Sequence, residues 1–486
     1  MRKTLSILFV LLSMSANAKV DAPKPFGPTP SARQLAWHEL NFYGFVHFTT
    51  NTFNDLEWGY GDADPNIFNP AEMDVEQWIR AMKAAGMKGV VLTCKHHDGF
   101  CLWPTELTDY SVKNSSWRNG KGDVVGEVAK AARKYGLKFG VYLSPWDRHD
   151  MRYGTPAYID YFRGQYRELF SKYGPVFEVW QDGANGGDGY YGGKNEKRQI
   201  DRKTYYDWKN TNAIVREMEP NACIFSDGGP DTRWCGNESG YVGQPNWGAI
   251  TGANYFPGEA DSYGLGHGEF NGTDWIPAEV DVSIRPGWFF HESENDKVKS
   301  VDQLLEIYYN SIGRGANLIL NLPPNKKGLL NDEDVRSLEG LGEALKKEFG
   351  NCVNKQIAKA EATNVRGNCK NYDASKAIDS KDDTYWATDD LTQRGMLTFT
   401  FKKPTTVNRA MIREYLPLGQ RIYKFRMEAQ MEDGSWKTVG EGSTIGNKRL
   451  LRFDDVKATA MRLYILDSKA CPVLSDIKFY ESSYKK

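Results

Sequence analysis

The chain has no excess of either charge: 62 Lys and Arg stand against 63 Asp and Glu, a formal net charge of −1. A nucleic-acid partner would need a basic face, and none is indicated. Beyond residue 18 no apolar run is long enough to span a bilayer as a helix, which argues against membrane insertion. The seven cysteines are odd in number and have no CxxC spacing, so a zinc ribbon or a dithiol redox motif is not expected. There is no HExxH or HxH pair, no glycine-rich phosphate loop after the first candidate strand, and no low-complexity segment. No metal and no required cofactor is therefore expected at a reaction centre.

What is present begins at the N-terminus. Arg2 and Lys3 precede an apolar run over 5–12, and Ala16-Asn17-Ala18 precedes Lys19, the pattern of a secretory signal with a small-residue cleavage site. Residues 1–18 are expected to be removed and the mature protein to be secreted or periplasmic. In that oxidising setting Cys352 and Cys369 are candidates for a disulfide. Aromatic residues make up 13% of the chain, with 14 Trp. Large cores absorb most of such an excess, and a sugar cleft takes the rest, because a pyranose face stacks on a ring while its hydroxyls demand hydrogen bonds.

Three stretches share one local grammar, a helical pattern ending in a basic residue and Gly with an apolar strand close behind: 78–86 into 90–93, 124–136 into 139–143, and 158–174 into 176–180. Glycine after the last helical turn supplies the left-handed conformation, and the short link implies sequential βα units. Further strands are expected at 43–48, 223–226 and 318–322, with helices at 205–217, 301–314 and 333–349. The pattern predicts a (β/α)8-like barrel over 19–349. After residue 350 helices give way to short alternating runs at 396–401, 410–414, 425–430 and 461–466, which predict a β-sandwich over 350–486.

Polar and aromatic residues then cluster where the barrel strands end. His47 follows the first, Lys95-His96-His97-Asp98-Gly99-Phe100 the second, Tyr142 and Trp146 the third, and Trp180 and Asp182 the fourth. Barrel enzymes build their sites at that face. Adjacent histidines on an extended chain point to opposite faces, so shared ligation of one metal by His96 and His97 is disfavoured against hydrogen bonding to ligand hydroxyls. Asp182 can serve as nucleophile or base, although Asp-Gly is also a common turn dipeptide. A retaining glycosidase needs a second carboxyl about 5 Å away. Glu238, Glu279 and Glu57 each lie near a tryptophan, and an apolar neighbour raises a carboxyl pKa toward a general acid's range.

Together, His47, the Glu57-Trp58 pair, the double-histidine run with Trp103-Pro104, Tyr142, Trp180-Gln181-Asp182-Gly183 and Asn321-Leu322-Pro323-Pro324 resemble the α-L-fucosidases of glycoside hydrolase family twenty-nine. The resemblance implies a retaining exo-α-L-fucosidase with Asp182 as nucleophile. His47, His96, His97, Tyr142 and Trp180 would line the fucose pocket, with Glu57, Trp58 and Trp288 as further contacts. His47 precedes Phe48 where the branch cleaving simple aryl fucosides has Trp, and the segment from Arg233 to Glu238 resembles the branch favouring α-1,3/1,4-linked fucose. There the glutamate matching Glu238 is the acid/base, with Glu279 in reserve. The expected partner is a fucosylated oligosaccharide. The alternatives are a glycosidase of the same scaffold for another galacto-configured sugar and a carbohydrate-binding protein without turnover.

In the C-terminal part, the segment from Tyr372 to Asp379 and Thr384-Tyr385-Trp386-Ala387 resemble discoidin-type, galactose-binding-like domains. That resemblance implies a structural calcium in the acidic turn near Asp379, Asp382 and Thr384. Packing against the barrel is favoured for this domain over sugar binding.

Overall fold

The computed structural model describes residues 20–258 and 261–485, so the signal segment lies outside the described residues. Eight parallel strands close into a barrel: β1 Phe42–Val46, β2 Gly89–Lys95, β3 Lys138–Leu143, β4 Glu178–Trp180, β5 Cys223–Ser226, β6 Thr232–Trp234, β7 Ala278–Ser283 and β8 Asn317–Asn321. Each pairs with its neighbours in the chain, and β8 closes on β1 with Phe42 opposite Leu318. β6 and β7 had no clear sequence signal. The first is three residues long, and the second, Ala-Glu-Val-Asp-Val-Ser, carries two buried acids where a strand inside a barrel is usually apolar. Only residues 227–231 join β5 to β6, so this link contains no helix.

Three of the expected helices start at side-chain caps. Asp74 caps Val75–Ala84 through the Gln77 amide, and Asp123 caps Val124–Tyr135 through the Gly126 amide. Gly136 ends the latter at φ 76, as the pattern required. Gly174 does not: its φ is −59. Here the absence of a side chain matters, because a Cβ would lie 2.1 Å from the Glu219 carboxylate.

The C-terminal domain is an antiparallel sheet system around Trp386, Phe399, Phe425, Met461 and Phe479. The runs at 396–401 and 410–414 belong to one strand, Gly395–Glu414. Its first part pairs with Ile357–Ala362 and its last with Val473–Tyr480. Register shifts between Thr400 and Thr405 allow that change of partner. This domain packs on the barrel. Glu348, at the end of the helix Asp332–Phe349, pairs with Arg409 and accepts from Tyr309 Oη, and the Gln420 amide bonds the backbone of Gly248 and Asn246.

The expected disulfide does not form, and all seven cysteines are free. Cys352 is held at the junction, where its backbone bridges to Tyr480, while Cys369 lies between two 3-10 turns. The acidic turn is exposed at Ser380, Lys381 and Asp382. Asp379 is taken up by Thr384 Oγ1 and lies 3.8 Å from Lys376, Asp382 lines a cleft that also contains Arg413, and among the described residues no group of three His, Cys, Asp or Glu is placed to hold a metal. Among the described residues no helix is long and apolar enough to cross a membrane.

Candidate active site

The C-terminal ends of the strands bring one aromatic pocket together. β1 leads into His47, whose Nδ1 lies 2.8 Å from Asn321 Oδ1 at the end of β8. The Asn321 amide nitrogen donates to Ser283 Oγ and to the Trp288 carbonyl, so its oxygen faces the ring and must accept. His47 therefore carries its proton on Nδ1 and leaves Nε2 as an acceptor. Burial pushes its pKa down to about 3, against the opposing hydrogen bond from Asn321, so the ring is neutral.

The same logic applies to His97. Its Nδ1 is 2.7 Å from Ser144 Oγ, and that hydroxyl donates to the Trp146 carbonyl, so the imidazole N–H points at Ser144 and Nε2 is bare. Nε2 lies 3.9 Å from Asp182 Oδ2. Burial lowers the His97 pKa despite the Asp182 charge, and burial together with His97 and His47 holds His96 well below the usual imidazole range. His96 and His97 do not diverge as consecutive residues on a strand would. The chain turns directly after Lys95, and the two rings converge to 4.1 Å between centroids. His96 stacks against Tyr142, and its buried Nδ1 has no hydrogen-bond partner within the protein.

β4 delivers Trp180 and Asp182. Asp182 Oδ1 accepts from the Ala184 amide at 2.7 Å and Oδ2 from Tyr142 Oη at 3.0 Å, which fixes the carboxylate plane toward the histidines. Trp180 lies flat on Phe225, with centroids 4.1 Å apart, and beside Tyr142. The space beside Gly183 belongs to Asp227: a Cβ there would lie 1.9 Å from Asp227 Oδ2. Asp227 is half-buried, accepts from the Gly258 amide at 2.6 Å, and is pushed up to about 7 by desolvation of its carboxyl and by the charge of Asp182.

Glu238 lies at the exposed rim after β6, where Trp288 Nε1 donates to its Oε2 at 3.1 Å. Partial burial raises its pKa, the Trp288 bond opposes this, and the charges of Asp182 and Glu57 add to it. Trp288 itself tilts over His47. Trp58 is 53% exposed and meets His97 and Trp146 edge-on at the mouth.

Glu57 accepts from the Trp288 and Phe289 amides and from His291 Nε2, so it holds the loop that carries Trp288, and its side chain stays 38% exposed with Oε2 taking a single donor. Glu279 is placed away from the pocket. Glu279 is 0% exposed near the start of β7, beneath Trp180, and accepts from Trp180 Nε1 and Tyr43 Oη. Its tryptophan partner is thus Trp180, not the nearby Trp275. Ser144, Phe289 and Asp227 were not found from sequence. Ser144, two residues beyond Tyr142, and Asp227, in a second Asp-Gly turn after a strand, follow the strand-end rule; Phe289 has no polar signature.

With this geometry in hand, comparison with known proteins is specific. Residues 30–349 match the family described as alpha-L-fucosidase, and residues 359–475 match the F5/8 type C domain. The chain is 41% identical over 478 residues to alpha-L-fucosidase 1 of Arabidopsis thaliana, covering 97% of this chain and 91% of that protein. Among solved structures it resembles a glycoside hydrolase 29 family member from an unknown rumen bacterium, with TM-score 0.84, 41% identity and coverage of 95% and 79% of the two chains. It also resembles a Ruminococcus gnavus GH29 fucosidase in complex with fucose, with TM-score 0.84, 31% identity and coverage of 96% and 97%.

Proposed function

Because the chain belongs to the alpha-L-fucosidase family and is a glycoside hydrolase, we propose that it removes terminal α-1,3/1,4-linked L-fucose from branched glycans with retention of anomeric configuration, acting outside the cytoplasm. The observation that carries this reading is the division of labour between two carboxyls. Asp182 has both oxygens oriented by donors, Tyr142 Oη and the Ala184 amide, as an attacking carboxylate requires. Glu238, at the rim, has a pKa raised by partial burial and by the charge of Asp182, which favours the protonated form of an acid.

In the first step Asp182 attacks the anomeric carbon while Glu238 protonates the departing oxygen. In the second, Glu238 takes a proton from water as that water displaces the carboxylate ester. The neutral histidines offer bare ring nitrogens to sugar hydroxyls, and Trp180, Phe45 and Trp288 supply apolar surface for the C6 methyl and ring face. The linkage preference rests on the Arg233 to Glu238 segment.

The test compares fucose release from a Lewis-type trisaccharide with release from an aryl fucoside. The trisaccharide should be the better substrate, and Asp182→Ala should remove activity on both, with azide restoring turnover as a fucosyl azide of inverted configuration. Release from the aryl compound alone would refute the linkage preference, and substantial residual turnover in Asp182→Ala would refute the nucleophile.

A further inference from the structure

Two acids lie inside the barrel beneath the pocket, and the reaction uses neither. Glu178 at the start of β4 and Glu279 near the start of β7 both have 0% exposure. Tyr43 of β1 reaches them from a third strand, and Trp37 closes the end of the barrel from the helix Ala32–His38. The donors around them are uneven. Glu279 receives Tyr43 Oη on Oε2 at 2.5 Å and Trp180 Nε1 on Oε1 at 2.9 Å. Glu178 receives Trp37 Nε1 on Oε1 at 2.9 Å; Tyr43 Oη lies 3.5 Å from that oxygen with its single proton given to Glu279, the buried Oε2 meets no N–H or O–H donor, and the two carboxyls are within hydrogen-bond reach of each other.

Among the described residues neither carboxyl is ion-paired with a lysine, arginine or histidine. Two uncompensated charges this close, out of water, cannot both persist. We infer that Glu178 and Glu279 hold one proton between them, with Glu178 the neutral acid and Glu279 the carboxylate, and that Glu279 is thereby a positioning residue for Trp180. Burial raises both carboxyls; the charge of Glu279 adds to the rise of Glu178, which lies well above the usual carboxylate range, while the bonds from Tyr43 and Trp180 hold Glu279 down.

The consequence reaches the reaction centre through contacts. The ionised Glu279 grips the Trp180 indole N–H by a charge-assisted bond. That bond keeps the ring flat on Phe225 and against Tyr142, and Tyr142 orients Asp182. Only this last, kinetic part rests on the proposed fucosidase reading.

The experiment is a pair of isosteric amides compared by infrared spectroscopy, thermal unfolding and aryl-fucoside kinetics. Glu178→Gln mimics the neutral acid. It should fold, melt at or above the parent temperature, keep both kinetic constants within about twofold, and lose from the parent spectrum at pH 8 a protonated-carboxyl C=O band that Asp281→Asn, at the other buried acid held well above its usual range, leaves in place. Glu279→Gln replaces the charged acceptor of Trp180. It should lose about tenfold in kcat/KM, the worth of a hydrogen bond to a charged group, with an altered tryptophan near-ultraviolet signature.

Equal effects of the two amides, a Glu178→Gln variant that does not fold, or a parent without a protonated-carboxyl band at pH 8 would each overturn the assignment. If Glu279→Gln folds poorly, Trp180→Phe removes the same bond from its other end and should show the tenfold loss. Unchanged kinetics in Trp180→Phe would overturn the positioning role. A parent without hydrolysis would refute the fucosidase reading while leaving the infrared arm decisive for the shared proton.

Discussion

Removing the charge of Glu57 should act on the reaction only through Trp288. In Glu57→Gln the amide oxygen can keep the two donors now on Oε1, Phe289 N at 3.0 Å and His291 Nε2 at 2.7 Å. Its NH2 then faces the Trp288 amide, which now donates to Oε2 at 2.8 Å, so one bond to a charged acceptor becomes a meeting of two donors. Such a bond is worth about 1.5–3 kcal/mol, and the lower end applies because the Glu57 side chain is 38% exposed. About 1.5 kcal/mol is roughly tenfold in rate. The loop carrying Trp288 should loosen, Trp288 should drift from His47 and Glu238, and kcat/KM on an aryl fucoside should fall about tenfold while the melting temperature holds. A double-mutant cycle distinguishes this from a direct sugar contact. In a Trp288→Ala background, Glu57→Gln should cost less than about threefold, because the residue it positions is gone. Two losses that simply multiply would refute the reasoning and return Glu57 to the list of substrate contacts.

Glu238 should set the alkaline limb of the kcat/KM profile, since an acid with a raised pKa works only below it; Glu238→Gln should flatten that limb. Trp288→Phe removes a bond that favours the ionised form, so the limb should move to higher pH; a downward move would contradict the assignment. At the domain junction, Arg409→Met strands the buried Glu348 with only Tyr309 and should cost about 3–5 kcal/mol, whereas Arg409→Met with Glu348→Leu should recover most of it; equal melting loss in both would refute the ion-pair account. His38 is buried with its pKa pushed down to about 3, so the unfolded chain protonates first and stability is lost as pH falls from about 6.5 toward 3. Between pH 7 and 5 the parent should lose about 2 kcal/mol more than His38→Phe in paired denaturant titrations, and a constant difference would refute it.

Much of the fold can be read from local chemistry. Capping aspartates and left-handed glycines mark the first two helices of the barrel, Pro156 starts the third, and the strand ends predict which face gathers His47, His96, His97, Tyr142, Trp180 and Asp182. What cannot be read is set by contacts between distant strands. β6 and β7 have no legible pattern because their buried Arg233, Glu279 and Asp281 are satisfied by partners far along the chain, such as the carbonyls of Leu265 and Trp247 for Arg233. Glu279 looked like a rim acid because it follows a tryptophan, yet parallel pairing places it at the bottom of the barrel. The hold of Glu57 on the Trp288 loop is hidden for a related reason: its partners, Trp288, Phe289 and His291, are more than 230 positions away.

The burial of the histidines bears directly on the carboxylate beside them. His97 Nε2 lies 3.9 Å from Asp182, and a protonated ring there would form an ion pair that stabilises the resting carboxylate and blunts its attack. Burial against Trp146 and His96 lowers the His97 pKa, and Ser144 fixes the remaining N–H on the far side of the ring. What faces Asp182 is then a lone pair, which cannot donate to it and is available to a sugar hydroxyl instead. Asp182 keeps two neutral donors, Tyr142 Oη and the Ala184 amide, which orient it without cancelling its charge. In the proposed reaction, neutral imidazoles do two things at once: they offer ring nitrogens to hydroxyls and leave the Asp182 carboxylate free to attack. On this view the aromatic packing around His96 and His97 matters to the reaction as much as to the fold, because each ring that excludes water also keeps the proton off.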